Sequence, residues 1–331
     1  MISGRFVLVV VVVLAILGAP FAVAAQGAKS GKLARIGRLS PLSAESDAPG
    51  LDAFRKGLRD LGWVEGQDFA IEALFAEGNP QRLPELAAQL VRQRVDIILA
   101  GSTPGTLAAK RATSAIPIVM VTTGDPVGGG LVASLAQPGG NVTGLTTLGQ
   151  DLSAKRLELL KEAVPGVARV AVLTSPGSPY TGPFLRDRAS LAQALGVRLQ
   201  VVEARDPTKF EQAFAEMARE RAGAFMVFTD VMFISHRRRL VELAAKSRLP
   251  AVYPEREFVS AGGLMFYGAS LVGMYYHAAV YADKILKGTK PADLPVEQPT
   301  KVELVINLRT AKTLGLAIPS AVLLRADHVI E

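Results

Sequence analysis

The stretch VTTGDPVGGGLV (121–132) ends an apolar run on a lone carboxylate, Asp125, set between Gly124 and Pro126. Proline bars the residue before it from helical geometry, so this carboxylate is held at a turn. It either starts the helix that follows or faces a ligand's cation or hydroxyl donor. Asp230 stands in the comparable place after a later apolar run, and two opposed carboxylates would bind an ammonium or sugar hydroxyls. One run earlier, Gly101-Ser-Thr-Pro-Gly-Thr106 reads as a helix start with Thr103 as N-cap and Pro104 at the first helical position. Such a terminus offers unpaired N–H groups and a positive dipole end to a carboxylate or phosphate, and Thr103 equally suits a plain cap. Tyr180, Tyr253, Phe258 and Tyr267 are aromatics for stacking on a ligand, against core packing as the usual role of an aromatic at a strand end.

Signals for catalysis are poor. His236, His277 and His328 have no metal-ligand spacing, so no metal is expected. There is no nucleophile elbow and no P-loop, and Gly128-Gly-Gly130 does not complete a dinucleotide fingerprint. The expectation is therefore a binding protein without a cofactor, not an enzyme. A secreted α/β enzyme acting on a small molecule in the same cleft is the alternative. The formal charge of +7 raises nucleic acid or acidic lipid as partners. The densest basic run, His236-Arg-Arg-Arg-Leu240, lies in a helical pattern with Leu240, Leu243 and Ala244 on its apolar face. That makes it a solvated helix face, and no nucleic-acid partner is expected.

The elements that must position these groups alternate short apolar runs with amphipathic stretches, the pattern of βαβ units and parallel sheets. Strands are expected at 33–39, 69–75, 96–100, 118–122 and 142–146, with helices at 48–61, 82–94, 105–113 and 129–136 between them. The rhythm then repeats, with strands at 169–173, 197–204, 224–229, 251–253 and 263–267 and helices at 184–195, 207–221, 232–247 and 255–261. A long helix to about Gly288, an apolar run at 302–306 and a helix at 308–314 follow. The expected fold is α/β, two Rossmann-like lobes with parallel sheets joined by a multi-crossover hinge. Lobe one comprises 32–147 plus 269–292, and lobe two 148–268 plus 293–331. Ligands of open parallel sheets bind beyond the carboxyl ends of the strands. All the loops named above lie there, whereas Trp63 falls in a helix-to-strand turn and reads as packing.

The N-terminus carries Arg5, the apolar stretch 6–17, and the small-residue run Ala22-Val-Ala-Ala25. These are the parts of a cleavable secretory signal over 1–25, with a retained anchor as the other reading. The chain has no cysteine, so it offers no disulfide, thiol nucleophile or lipoprotein attachment site. A free periplasmic monomer is expected.

Four segments carry a longer likeness: FRKGLRDLGWVEGQDFAIE (54–72), the block from Arg82 to Thr146, KRLELLKEAVPGVARVAVL (155–173), and YADKILKGTKPADLPVEQPTKVELVINLRTAKTLGL (281–316). With these the chain resembles the ABC transporter substrate-binding protein family related to tryptophan- and tyrosine-binding TrpX-type proteins. The resemblance implies a type I periplasmic-binding-protein fold with three crossovers. It implies a small-molecule solute, and as partners a membrane permease with its cytoplasmic ATPase. Positions matching the family's cleft loops are Ser40, Ser102, Thr103, Asp125, Asp230, Tyr253 and Glu257. A zwitterion would then lay its carboxylate on Ser102 and Thr103 and its ammonium near Asp125, with Asp230 or Glu257 closing from the other lobe.

Overall fold

The computed structural model describes residues 33–147, 149–176, 181–299 and 301–331. The expected signal segment 1–25 and the candidate Tyr180 lie outside the described residues. The first lobe runs β1 (Ala34–Ser40), α1 (Ala44–Asp60), β2 (Phe69–Phe75), α2 (Leu83–Arg92), β3 (Ile97–Gly101), α3 (Ser102–Ala112), β4 (Ile118–Thr123) and β5 (Val142–Thr146). Its five strands are parallel in the order β2-β1-β3-β4-β5. Strands β3, β4 and β5 are buried on both faces because helices cover both sides.

The chain then enters the second lobe with α4 (Gly149–Ala163), β6 (Arg169–Thr174), α5 (Thr181–Ala194), β7 (Arg198–Glu203), α6 (Phe210–Arg219) and β8 (Ala224–Val227). It continues with α7 (Val231–Ser235), α8 (Arg237–Lys246), β9 (Ala251–Tyr253), α9 (Arg256–Ser260) and β10 (Met265–Ala269). It returns to lobe one for α10 (Leu271–Leu286) and ends in lobe two with β11 (Val302–Asn307), α11 (Leu308–Leu314), α12 (Ser320–Leu323) and β12 (His328–Ile330). The second sheet has seven strands in the order β12-β11-β10-β9-β8-β6-β7, with β11 antiparallel to β10. Both sheets thus repeat one doubly wound pattern whose order reverses between the first and third strands, β1 and β3 in one, β6 and β8 in the other. Such reversals open a crevice at the strand ends, where ligands bind.

Helix α10 belongs to the first lobe's core, with Ala278, Ala279 and Ala282 buried beside Phe54 and Leu58 of α1. The two helices cross so closely that a Cβ on Gly57 would sit 2.5 Å from the Tyr276 carbonyl oxygen. After α10 the chain stays on this lobe to Glu297, whose amide donates to the Gly144 carbonyl while Glu297 accepts from Thr146. The third crossing therefore falls after Glu297 rather than at 292, because this segment extends the backbone pairing of β5.

Three helices differ most from the sequence expectation. The stretch 129–136 forms turns, with Gly129 bonded to the Asp125 carbonyl and Leu131 to that of Pro126. A run of three glycines loses too much backbone freedom to propagate a helix. The pattern 232–247 divides at His236, whose φ of −106° and ψ of 23° lie off the helical values. Helix α1 begins at Ala44, earlier than 48, because Ser43 caps it by accepting from the Ser46 amide at 3.3 Å.

Candidate functional site

A cavity of about 630 Å³ lies between the lobes at both reversal points. That is within the usual range for small-molecule sites, roughly 300–1,000 Å³. Its first-lobe wall is largely apolar, with Pro41, Leu42, Pro49, Leu83, Pro84 and Leu107, joined by Leu271 and Val272 from the start of α10. From the second lobe come Ser175, Pro176, Phe228, Asp230, Ile234, Glu255 and Glu257, and from α4 Arg156. Across the mouth, Arg237 donates to the Ser46 hydroxyl at 3.1 Å and Arg238 lies 3.6 Å from Glu45, so α8 and α1 meet face to face.

At the base of the first-lobe wall stands Arg38, fully buried. Its Nε donates to Asp47 at 3.0 Å, Nη1 to the carbonyls of Leu39 and Leu99, and Nη2 to Asp47 and the Tyr275 hydroxyl. The five donors of a guanidinium are thereby all used. Burial alone would lower the Arg38 pKa, but Tyr275 and Asp47 outweigh it and hold it above the ordinary value. Burial would likewise raise Asp47, and Arg38 more than offsets this, leaving its carboxyl below the usual range. Ser40 donates to Asp47 at 2.7 Å and is wholly buried in this cluster, off the cavity lining. Gly101 is required beside it, since a Cβ there would come 2.8 Å from Arg38 Nη2.

The loop after β3 does reach the cavity with Ser102 and Thr103, but as a strained, locally satisfied turn. Ser102 and Thr122 both have φ of +63°, a left-handed conformation unusual outside glycine. Functional sites collect such strain, which persists only where the surroundings hold it in place. The Ser102 amide donates to the Thr122 hydroxyl, and the Ser102 hydroxyl accepts from Gly105. The cap position expected at Thr103 is instead Gly101, which has no side chain to cap with, and the Thr103 hydroxyl accepts from Gly124 at 3.3 Å. With Pro104 lacking an N–H and the amides of Ser102 and Gly105 engaged, little of the helix start is left for an anion.

Asp125 is exposed, and its Oδ1 accepts from the Gly128 amide at 2.8 Å, closing its own turn away from the cavity lining. Asp230 is on the wall, yet Oδ1 caps α7 through Met232 and Oδ2 accepts from Ser175 at 2.6 Å. Tyr253 is core, because the side chain is 1% exposed and its ring stacks on Phe258 with centroids 4.7 Å apart. Tyr267 packs half-buried against the second-lobe core and offers only its carbonyl, which accepts from Arg156.

Residues that the sequence reading did not single out supply the free polarity. Arg156 and Glu255 are 4% and 6% exposed and both line the cavity. Arg156 Nε donates to the Tyr267 carbonyl at 2.7 Å. Burial, and then the charge of Glu257, push the Glu255 carboxyl well up, against the pull of Arg156. Burial brings Arg156 down to about 10, against the charges of Glu255 and Tyr267. Glu257, which the sequence did single out, joins them with Oε2 buried and without a hydrogen bond. Arg38 had a signal, a charge inside an apolar strand with an aspartate nine residues on. Arg156 had none, since Lys155-Arg156 in an amphipathic helix looks like any solvated face. Among the described residues no group of three or more acidic or histidine side chains is placed to hold a metal ion.

The sequence model of a family described as ABC transporter substrate binding protein matches residues 36–330. The chain is 31% identical over 283 residues to a tyrosine-binding protein of Clostridioides difficile, covering 82% of this chain and 79% of that one. Among solved structures it resembles an ABC domain from Streptococcus pneumonia in complex with L-Trp, at 26% identity and a TM-score of 0.79, covering 89% of this chain and all of that one, 100%. It also resembles the ligand-free, open form of a substrate-binding protein with adhesive properties from Clostridium difficile, at 25% identity and a TM-score of 0.67, covering 90% and 99%.

Proposed function

The chain belongs to the ABC transporter substrate-binding protein family, and from that premise we propose that it captures an amino acid with a large apolar or aromatic side chain and delivers it to an importer. Proteins of this family are substrate-binding proteins rather than enzymes. They work outside the cytoplasm with a membrane permease and its ATPase. The importing direction, cleavage of the N-terminal segment, a monomeric state and the absence of turnover in this chain are parts of the proposal.

One observation carries it: an interlobe cavity whose first-lobe wall is largely apolar, with its buried Arg38 and Asp47 paired to each other, and whose second-lobe wall holds buried charged groups that are not paired among the described residues. A solute that fits both has a hydrophobic body and an ionic head. The relatives' tyrosine and L-Trp support this class. Closure of the hinge on the solute is supported by the contacts of α8 with α1 across the mouth and by the greater likeness to the L-Trp complex than to the open structure. Rotation of two lobes about several crossing segments is the ordinary mechanics of such closure. Among the described residues no histidine lines the cavity to activate a nucleophile, which supports binding over the enzyme alternative.

A thermal-shift screen with L-tyrosine, L-tryptophan, L-phenylalanine, L-leucine, ribose and allitol tests the reading. An amino acid at a hundredfold its Kd should stabilise the fold by about 2.7 kcal/mol. Sugars that shift the melt while all four amino acids leave it unmoved would overturn the solute class, and product detected by mass spectrometry would overturn the binding-protein reading.

A further inference from the structure

We propose that the second lobe alone reads the ionic head of the solute, Arg156 taking its carboxylate and Glu255 with Glu257 its ammonium, so that the ligand is an α-amino acid with both groups free. This rests on the function proposed above and reverses the orientation that the loops of the first lobe suggested.

The argument is an accounting of polar valences. Arg156 is nine-tenths buried or more, and only its Nε is engaged, by the Tyr267 carbonyl. No hydrogen bond among the described residues takes up its two terminal nitrogens, and it forms no ion pair there. Glu255 is equally buried, and among the described residues neither a hydrogen bond nor an ion pair reaches its carboxylate. Glu257 adds Oε2, buried and without a partner. All three line the cavity. Arg156 and Glu255 influence each other's ionisation without touching, so a gap separates a donor fork from two acceptors. Buried polar groups left open cost stability, and a native chain that keeps three of them on one wall has a use for them. An α-amino acid carries a carboxylate and an ammonium on one carbon and would fill both sides of that gap at once. In the first-lobe loops the Ser102 and Gly105 amides and one Asp125 carboxylate oxygen are bonded locally. Glu255 faces Glu257, Arg156 and, from α10, Tyr275, so its burial and the neighbouring carboxylate favour the protonated form until a cation arrives. Uptake of the ammonium then releases a proton.

Calorimetric titration of the full mature protein with L-tyrosine, tyramine and 3-(4-hydroxyphenyl)propionate, and with L-tryptophan and its two analogues, tests this. Each analogue lacks one charged group and should bind about ten- to a hundredfold more weakly than its amino acid, the worth of one charge-assisted hydrogen bond. In Glu257→Gln the gap between amino acid and deaminated acid should shrink at least threefold, because the amino acid and tyramine both weaken while binding of the deaminated acid changes little. In Arg156→Lys, which keeps charge but loses the fork, the gap to the amine should shrink instead. Titration in buffers of different ionisation enthalpy should show a proton released by wild type. Analogues binding as tightly as the amino acids, or gaps unmoved in folded variants, would overturn the assignment and leave the proposed function standing. Wild-type protein that binds none of L-tyrosine, L-tryptophan, L-phenylalanine and L-leucine would bring down both.

Discussion

On the first-lobe wall the Arg38 guanidinium uses all five of its donors on Asp47, Tyr275 and two backbone carbonyls. Across the cavity Arg156 uses one, on the Tyr267 carbonyl. Both arginines are buried, both face a carboxylate and both line the same space. Burial with every valence filled ties β1 to α1 and α10, an internal brace. Burial with valences open leaves a surface prepared for something else. The chemistry of the residue type decides neither outcome, and the count of partners decides both.

The comparison breaks most visibly if the brace is not a brace. Arg38→Ala strands Asp47 in the interior, and losing one partner of a buried pair costs about 3–5 kcal/mol. Urea unfolding at neutral pH should show that loss, and a change below about 1 kcal/mol would mean that the first-lobe cluster holds nothing together.

A smaller effect, with a sign, sharpens the same contrast. Glu255 has a folded pKa above its unfolded value of about 4.3, so the folded state holds the extra proton. Its stabilising contribution is complete below that value and is lost as pH rises toward the folded pKa, with a slope of at most about 1.4 kcal/mol per pH unit. Asp47 runs the other way. Its folded value is lowered, so its contribution is present above about 3.9 and lost as pH falls through the folded pKa. Unliganded Glu255→Gln should therefore match wild type near pH 4 and exceed it increasingly above pH 6 in melting temperature. Parallel curves for the two proteins would refute a raised Glu255.

The smallest effect belongs to Asp125. It closes a turn with Gly128, and Asn serves such a role nearly as well. Asp125→Asn should change stability by a few tenths of a kcal/mol and affinity by less than about twofold, by the same calorimetric titration.

The strand-end loops were legible because period and punctuation mark them. Gly101-Ser-Thr-Pro and Thr229-Asp230 both line the cavity as their positions suggested. What lines it without such a mark was not legible. Arg156 sits in a helix with ordinary amphipathic spacing, and only the placement of α4 under β10 buries it. Tyr253 fails in the other direction, because a strand-end aromatic points to core or cleft according to neighbours, here Phe225 and Phe258, that are remote or unordered in the sequence pattern. The triple glycine at 128–130 shows local entropy overruling an apolar period, and the shared turn it makes with Asp125 explains why a carboxylate at a strand end faces solvent.

Trp63, the chain's single tryptophan, is 5% exposed in the first-lobe core and donates from Nε1 to Asp283 at 2.8 Å. It is absent from the cavity lining. Its emission is therefore a private optical gauge of one lobe, blind to occupancy of the cleft and to loosening of the other sheet. A melt followed by that fluorescence, laid over one followed by circular dichroism of the whole chain, would time the two lobes separately without any label, and the offset between the curves would measure how strongly three crossing segments couple them.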